Sequence, residues 1–315
     1  MAFKSGFAAI LGRPNAGKST LVNALVGRKV AIVSPRPQTT RNRIQGILNR
    51  PDAQVVLVDT PGILPALSPG RAGANVRPSS ALDRQMMDEV LHALDGVDVL
   101  ALIVDAAAEF GPGDRYAVQV VRRFHGPAFL LLNKIDKVQK EALLPLIERY
   151  SREHTFAEII PISALTGDAL PVLVEKLVAQ LPEGEPYFPP DEYTDQPERF
   201  LAGEIVREKV LLATREEVPY SVAVLVDSFE EGEKLLRICA TIYVERDGQK
   251  GIIIGKGGQM LKKIGTEARL ELESLLGAKI FLQLHVKVQR NWRDNPAIVR
   301  QLDWRRQLER LTDES

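Results

Sequence analysis

A single cysteine, Cys239, stands in the 315 residues, so no disulfide can form within the chain, and its apolar surroundings argue against a catalytic thiol. No stretch approaches the roughly 20 successive apolar residues of a membrane span. The opening Met1-Ala2-Phe3-Lys4-Ser5-Gly6 lacks a basic region followed by an apolar run, which predicts a protein that is not exported and works in the cytoplasm. Excess charge is absent too: 41 basic side chains balance 41 acidic ones. The balance hides an uneven distribution. Residues 1–182 carry 21 basic and 17 acidic groups, 183–250 carry 8 and 16, and 251–315 carry 12 and 8, which hints at a polyanion partner for the last segment. With 45% hydrophobic and 26% charged residues the chain is globular, and its length suits two folding units.

Short apolar runs alternate with stretches of helical periodicity through the first 181 residues, the pattern of a mostly parallel sheet covered on both faces. Ile44 to Leu48 and Val55 to Val58, joined by Asn49-Arg50-Pro51-Asp52, read as one antiparallel edge hairpin. The Pro-rich run that follows Leu181 cannot continue a helix, and a linker is expected over 182–197. Beyond it the order is αββααβ: a helix near 198–216, strands near 220–227 and 235–246, two helices about Gly255-Lys256-Gly257-Gly258, and a strand over 279–288. The expected division is therefore a first domain over 1–181, a second, α+β domain over 198–295 and a tail over 296–315. Ile63 to Ser80, rich in Pro, Gly, Ser and Ala, reads as a mobile functional loop or a disordered insert.

Chemistry concentrates at strand ends. Gly12-Arg13-Pro14-Asn15-Ala16-Gly17-Lys18-Ser19-Thr20 satisfies G-x-x-x-x-G-K-[ST] between a strand and a helix, the context in which such a loop cradles phosphate with backbone N–H groups. Lys18 would bridge the β and γ phosphates and Ser19 would ligate Mg²⁺. Asp59-Thr60-Pro61-Gly62 ends a strand, placing a carboxylate for the magnesium shell and an amide for the γ-phosphate. Asn133-Lys134-Ile135-Asp136 follows another. Asp136 can accept from both guanine N1–H and the exocyclic amine, a pair that adenine does not offer, so the nucleotide is expected to be GTP. Asn133 would tie loops together, the Lys134 stem would cover the base, and a backbone amide of Ser163-Ala164-Leu165 could reach guanine O6. Any one of these strings is weak; together they mark one crevice at the carboxyl ends of the strands.

These motifs, with Gln38-Thr39-Thr40-Arg41, resemble the translation-factor-related GTPases and specifically the Era family, over nearly the whole chain. The resemblance implies a Ras-like P-loop GTPase domain of α/β class followed by a type II KH domain, and hydrolysis of GTP to GDP and phosphate. It implies Thr40 as the switch threonine on Mg²⁺, with Thr39 the alternative, and a catalytic set of Lys18, Thr40 and Gly62. It also implies a partner, the 3′ end of small-subunit ribosomal RNA, and a role in assembling the small ribosomal subunit. Peripheral contact with the inner face of the cell membrane and a monomeric state belong to the same expectation. Ile63 replaces the glutamine that orients water in many switch GTPases, so intrinsic hydrolysis is expected to be slow. Asn15 resembles a residue that helps hold K⁺ in related GTPases; a turn residue bonding its own backbone is the competing reading.

The Gly255-Lys256-Gly257-Gly258 loop, together with Lys262 and Lys287, is expected to bind single-stranded RNA, because glycines let the nucleic-acid backbone approach closely. Trp292 reads either as a stacking platform or as a cap on the fold. The four histidines lack metal-ligand spacing. A checkpoint regulator docked at a membrane and a tRNA-modifying GTPase are the rival readings, the latter disfavoured because no second catalytic constellation accompanies the nucleotide motifs.

Overall fold

The computed structural model describes residues 2–63, 80–215 and 218–305. They form two compact units. One comprises the chain up to Asp195 apart from residues 80–82; the other comprises those three and everything from Gln196 onward.

The first unit is a six-stranded sheet in the order β2-β3-β1-β4-β5-β6. Its strands are β1 (Lys4–Leu11), β2 (Ile44–Asn49), β3 (Ala53–Asp59), β4 (Val99–Asp105), β5 (Ala128–Asn133) and β6 (Glu158–Pro161). All neighbours run parallel except β2, which pairs antiparallel to β3 through the predicted Asn-Arg-Pro-Asp turn. β3 and β5 are buried at every position, which is why they read as unbroken apolar runs rather than as alternation. On one face α1 (Lys18–Val26) and α5 (Leu170–Gln180) cover a core of Ile10, Leu57, Ile103 and Phe129. On the other, α2 (Ala81–His92), α3 (Pro112–Val121) and α4 (Leu143–Glu153) cover Leu11, Leu102, Leu130 and Leu132. This sandwich aligns the carboxyl ends of β1, β3, β4, β5 and β6 along one rim.

Residues 182–195, assigned above to the linker, lie against this unit. Gly46 bridges Thr194, Ile47 N–H donates to Tyr193 O at 2.9 Å, and the buried Gln54 side chain accepts from the amides of Tyr187 and Phe188 at 2.8 and 3.0 Å. The proline-rich segment thus runs as a strap along β2, whose outer edge would otherwise present unpaired backbone groups.

The second unit follows the order read from sequence. α6 (Glu198–Ala213) leads through a short helix, α7 (Val218–Ser221), into β7 (Ala223–Glu231) and β8 (Leu236–Val244); α8 (Asp247–Ile254) and α9 (Gln259–Leu276) precede β9 (Ile280–Val288). The sheet order is β7-β8-β9, with β7 antiparallel and β9 parallel to β8. One correction concerns residues 220–222: the strand expected from Tyr220 begins only at Ala223, because Val218–Ser221 winds into a helical turn with Pro219 at its start, where a missing N–H costs nothing. Leu201, Ile205, Ile238, Ile242, Ile264, Ala268 and Leu272 fill the core between helices and sheet. Trp292 caps that unit. It is fully buried and its Nε1–H donates to Ser221 O at 2.7 Å, which decides between its two readings. The tail begins as α10 (Pro296–Gln301), capped by Asn295, whose side chain accepts from the Ala297 amide at 3.0 Å. Trp304 is buried and stacked by Arg305, 4.5 Å from the ring centroid. Residues 64–79, the bulk of the proposed mobile loop, and 306–315 lie outside the described residues.

Candidate functional site

At the rim, the turn from β1 into α1 forms a cradle. Gly17 has φ 104°, and a Cβ there would fall 2.2 Å from Asn133 Nδ2, so both conformation and space demand glycine. Lys18 folds back into the loop and donates from Nζ to Gly12 O (3.1 Å) and Arg13 O (2.9 Å). Burial lowers its pKa to about 8, against the pull of Asp59, whose negative charge favours the ammonium. An ammonium so placed gains most from a polyanion entering the loop.

Three oxygens meet beside it. Ser19 Oγ donates to Asp59 Oδ2 at 2.6 Å and lies 2.8 Å from Thr40 Oγ1, which is itself 3.3 Å from the same carboxylate oxygen. Burial pushes the Asp59 carboxyl upward while Lys18 holds it down. Its other oxygen, Oδ1, is buried and has no hydrogen-bond partner among the described residues. A buried carboxylate oxygen left unpaired is costly, and hard oxygen donors in this number suit Mg²⁺ or its water shell. Thr39 is oriented elsewhere, on Ser34 Oγ and Arg36 O, both 2.7 Å away. A cavity of about 410 Å³ opens here, walled by Pro14, Asn15, Gly17 to Thr20, the 32–35 segment, Gln38 to Thr40, Gly62 and Lys134.

The base end is organised by Asn133. Its Nδ2 donates to Ala16 O at 2.8 Å and its Oδ1 accepts from the Ala164 amide at 2.9 Å, tying three loops together. Lys134, at φ 67°, donates from Nζ to Asn15 O (2.7 Å) and Asp105 Oδ2 (2.6 Å). Asp136 accepts from Ser163 Oγ at 2.6 Å, which orients the carboxylate, and Leu165 is 76% exposed beside it. Thr60 has a structural bond, Oγ1 to Ile10 O at 2.8 Å, and Pro61 follows it in the same buried turn. Arg13 contributes backbone only, because its guanidinium pairs with Asp114 of α3 at 2.9 Å. Sequence reasoning missed Asp105, although a carboxylate closing the apolar run of β4 was the signal. It also missed the wall at Ser34 and Pro35, for which no local signal exists.

The second unit holds a separate groove. Gly255, at φ 70°, ends α8; a Cβ there would meet Met260 Cβ at 2.7 Å. Lys256 and Gly257 are exposed at the tip. From Gly258 a cleft of about 390 Å³ runs between α9, which supplies Leu261, Lys262, Gly265, Thr266 and Arg269, and β9, which supplies Leu282 and Leu284. Apolar walls beside cations suit unpaired bases with their phosphates. Lys287 is not brought there. Strand alternation puts it with Phe281, Gln283 and His285 on the opposite face of β9 from Leu282 and Leu284, a parity visible in the sequence itself.

Comparison with known proteins agrees with both halves. The family described as 50S ribosome-binding GTPase matches residues 7–134, and the KH domain family matches 217–293. The GTPase Era of Syntrophus aciditrophicus (strain SB) is 49% identical over 304 residues, which are 96% of this chain and 95% of that protein. The chain belongs to the Era GTPase family. A point variant of Aquifex aeolicus Era bound to GDP·AlF4⁻ superposes with a TM-score of 0.88 at 43% identity, covering 95% of this chain and 99% of that one. An Era structure in complex with MgGDPNP and nucleotides 1506–1542 of 16S ribosomal RNA gives 0.89 at 43%, covering 95% and 98%. The Era fold, a P-loop GTPase unit joined to a KH unit, is therefore the fold of this chain.

In this Era-family chain Ile63 is fully buried, and its amide donates to Gly12 O at 3.0 Å. Asn15, at φ 63°, donates from Nδ2 to Pro35 O at 2.9 Å rather than to its own backbone. Among the described residues no helix is long and apolar enough to cross a membrane, and no cluster of three or more metal-ligating side chains forms.

Proposed function

We propose that this Era-family GTPase binds GTP with Mg²⁺ in the first unit and the 3′ end of small-subunit ribosomal RNA in the second, and acts in assembly of the small ribosomal subunit. The observation that supports this reading is a carboxylate, Asp136, oriented by Ser163 Oγ, in a unit that also forms a phosphate-type cradle, within a chain that carries a Gly-x-x-Gly groove. The Era complex with MgGDPNP and 16S nucleotides is the precedent for both ligands. Depleting the protein from cells and sedimenting their ribosomes tests it: a deficit of mature small subunits is expected, and a normal profile would overturn the assignment.

The nucleotide-binding set is Gly12 to Thr20, Asp59 to Gly62, Asn133, Lys134, Asp136 and Ser163 to Leu165. Ser19, Thr40 and Asp59 would hold Mg²⁺, which supplies charge neutralisation at the phosphate oxygens when bound. Thr40 is preferred over Thr39 because its hydroxyl already reaches both Ser19 and Asp59. Lys18 and the Gly62 amide stabilise charge on the departing phosphoryl group, and Thr40 orients the nucleophilic side. The buried Ile63 side chain cannot orient water, so the rate without a stimulator is slow. RNA contacts fall to Gly255, Lys256, Gly257, Gly258 and Lys262, with Arg269 added from the groove.

A K⁺ requirement belongs to the same reading. With Nδ2 engaged by Pro35, the Asn15 Oδ1 has no hydrogen bond among the described residues and is available to a monovalent cation. Turnover should be about tenfold faster in K⁺ than in Na⁺, a difference of about 1.4 kcal/mol in barrier; equal rates in the two salts would remove K⁺ from the mechanism. The same proposal makes the protein a cytoplasmic monomer with peripheral contact at the inner face of the membrane.

A further inference from the structure

The helix-free face of the KH sheet has a composition that its distance from the groove does not explain. Register aligns Arg237, Cys239, Thr241 and Tyr243 of β8 with Phe281, Gln283, His285 and Lys287 of β9. Neither row contains a carboxylate. Phe281 is 49% exposed, with the Arg237 guanidinium 5.8 Å from its ring centroid. Gln283 Nε2 and His285 Nε2 lie 3.2 Å apart, and Lys287 is exposed. Among the described residues neither Arg237 nor Lys287 forms an ion pair, although Glu230 of β7 stands opposite Arg237 in the register. Acidic groups are confined to β7, where Asp227 accepts from Thr241 Oγ1 at 2.7 Å. The face is therefore graded, acidic at β7 and basic with an exposed ring at β9.

β9 is also an edge strand, and its alternate residues Leu282 and Leu284 wall the groove. One strand thus offers an apolar groove on one side and, across a single strand's thickness, a ring flanked by cations on the other. We infer that single-stranded RNA longer than the groove turns over the β9 edge and continues on this outer face, with a base stacked on Phe281 and phosphates at Lys287 and Arg237. Aromatic stacking beside unpaired cations is how sheet surfaces hold unpaired strands without strict sequence demands. The carboxylates at β7 keep the path on the β9 side.

The inference rests on the RNA-binding reading above, and its test separates the two. Full-length parent, Phe281→Ala and Lys287→Gln proteins are titrated with an oligoribonucleotide of about four nucleotides, enough for a KH groove, and with one of about 12 nucleotides, the reach of an extended single-strand site. The long strand should bind the parent more tightly than the short one. Phe281→Ala should weaken the long strand roughly 5- to 100-fold and leave the short one unchanged. Lys287→Gln should lower the salt dependence of long-strand binding by about one phosphate contact. Equal affinity of parent and variants for the long strand overturns the outer path and leaves the groove standing, as does a loss common to both lengths. No binding of either strand by the parent overturns both readings.

Discussion

Asp136→Asn is expected to lower GTP affinity by about 10³-fold and to raise affinity for xanthosine triphosphate, because a site built around two acceptor oxygens leaves buried donors opposed when one becomes an amide. The carboxylate is oriented by Ser163 Oγ at 2.6 Å. An asparagine there retains one acceptor for N1–H and presents its NH2 to the position of the guanine amine, where xanthine carries a carbonyl. Competition of unlabelled GTP and XTP against a fluorescent guanine nucleotide measures the change. GTP affinity equal to that of the parent would contradict the role given to Asp136.

The second large effect is on RNA. Lys256→Asp with Gly257→Asp places two negative charges at the exposed tip where the nucleic-acid backbone must approach, and Gly257 adopts φ 59°, a region in which Asp is tolerated. Loss of one cation and gain of two anions should cost about 100-fold or more in affinity for single-stranded RNA, more at low salt than at high. Guanine-nucleotide affinity should be unchanged, because the nucleotide crevice is built entirely from the first unit. RNA binding that survives the pair would remove the Gly-x-x-Gly loop from the interface.

How far the sequence could be read follows from how local each signal is. Gly12 to Thr20, Asp59 to Gly62 and Asn133 to Asp136 were legible because each is a short string at the end of an apolar strand, and a parallel sheet brings strand ends to one rim. Asn133 was expected to tie loops together, but which loops it joins, at Ala16 and Ala164, is set by the β1-β4-β5-β6 order, which no local string encodes. The choice between Thr39 and Thr40 likewise turns on side-chain direction: Thr39 meets Ser34, whereas Thr40 meets Ser19. Lys287 was misplaced for a different reason. Proximity in sequence to a basic cluster was read as proximity in space, whereas the alternation Leu282, Leu284, Val286 already put odd-numbered residues on the other face. The helical turn at Val218–Ser221 was obscured because its residues, apolar except for Ser221, run directly into the apolar start of β7.

The strap along β2 bears on any attempt to dissect the molecule. A polypeptide cut after Leu181 would retain every nucleotide-binding motif yet strip β2 of Thr194 and Tyr193, baring a row of amides and carbonyls and removing the partners of Gln54. Such a fragment invites sheet-to-sheet self-association. Ending it after Asp195 keeps those bonds, so the boundary of the first unit is defined by where hydrogen bonding stops rather than by where the last helix does.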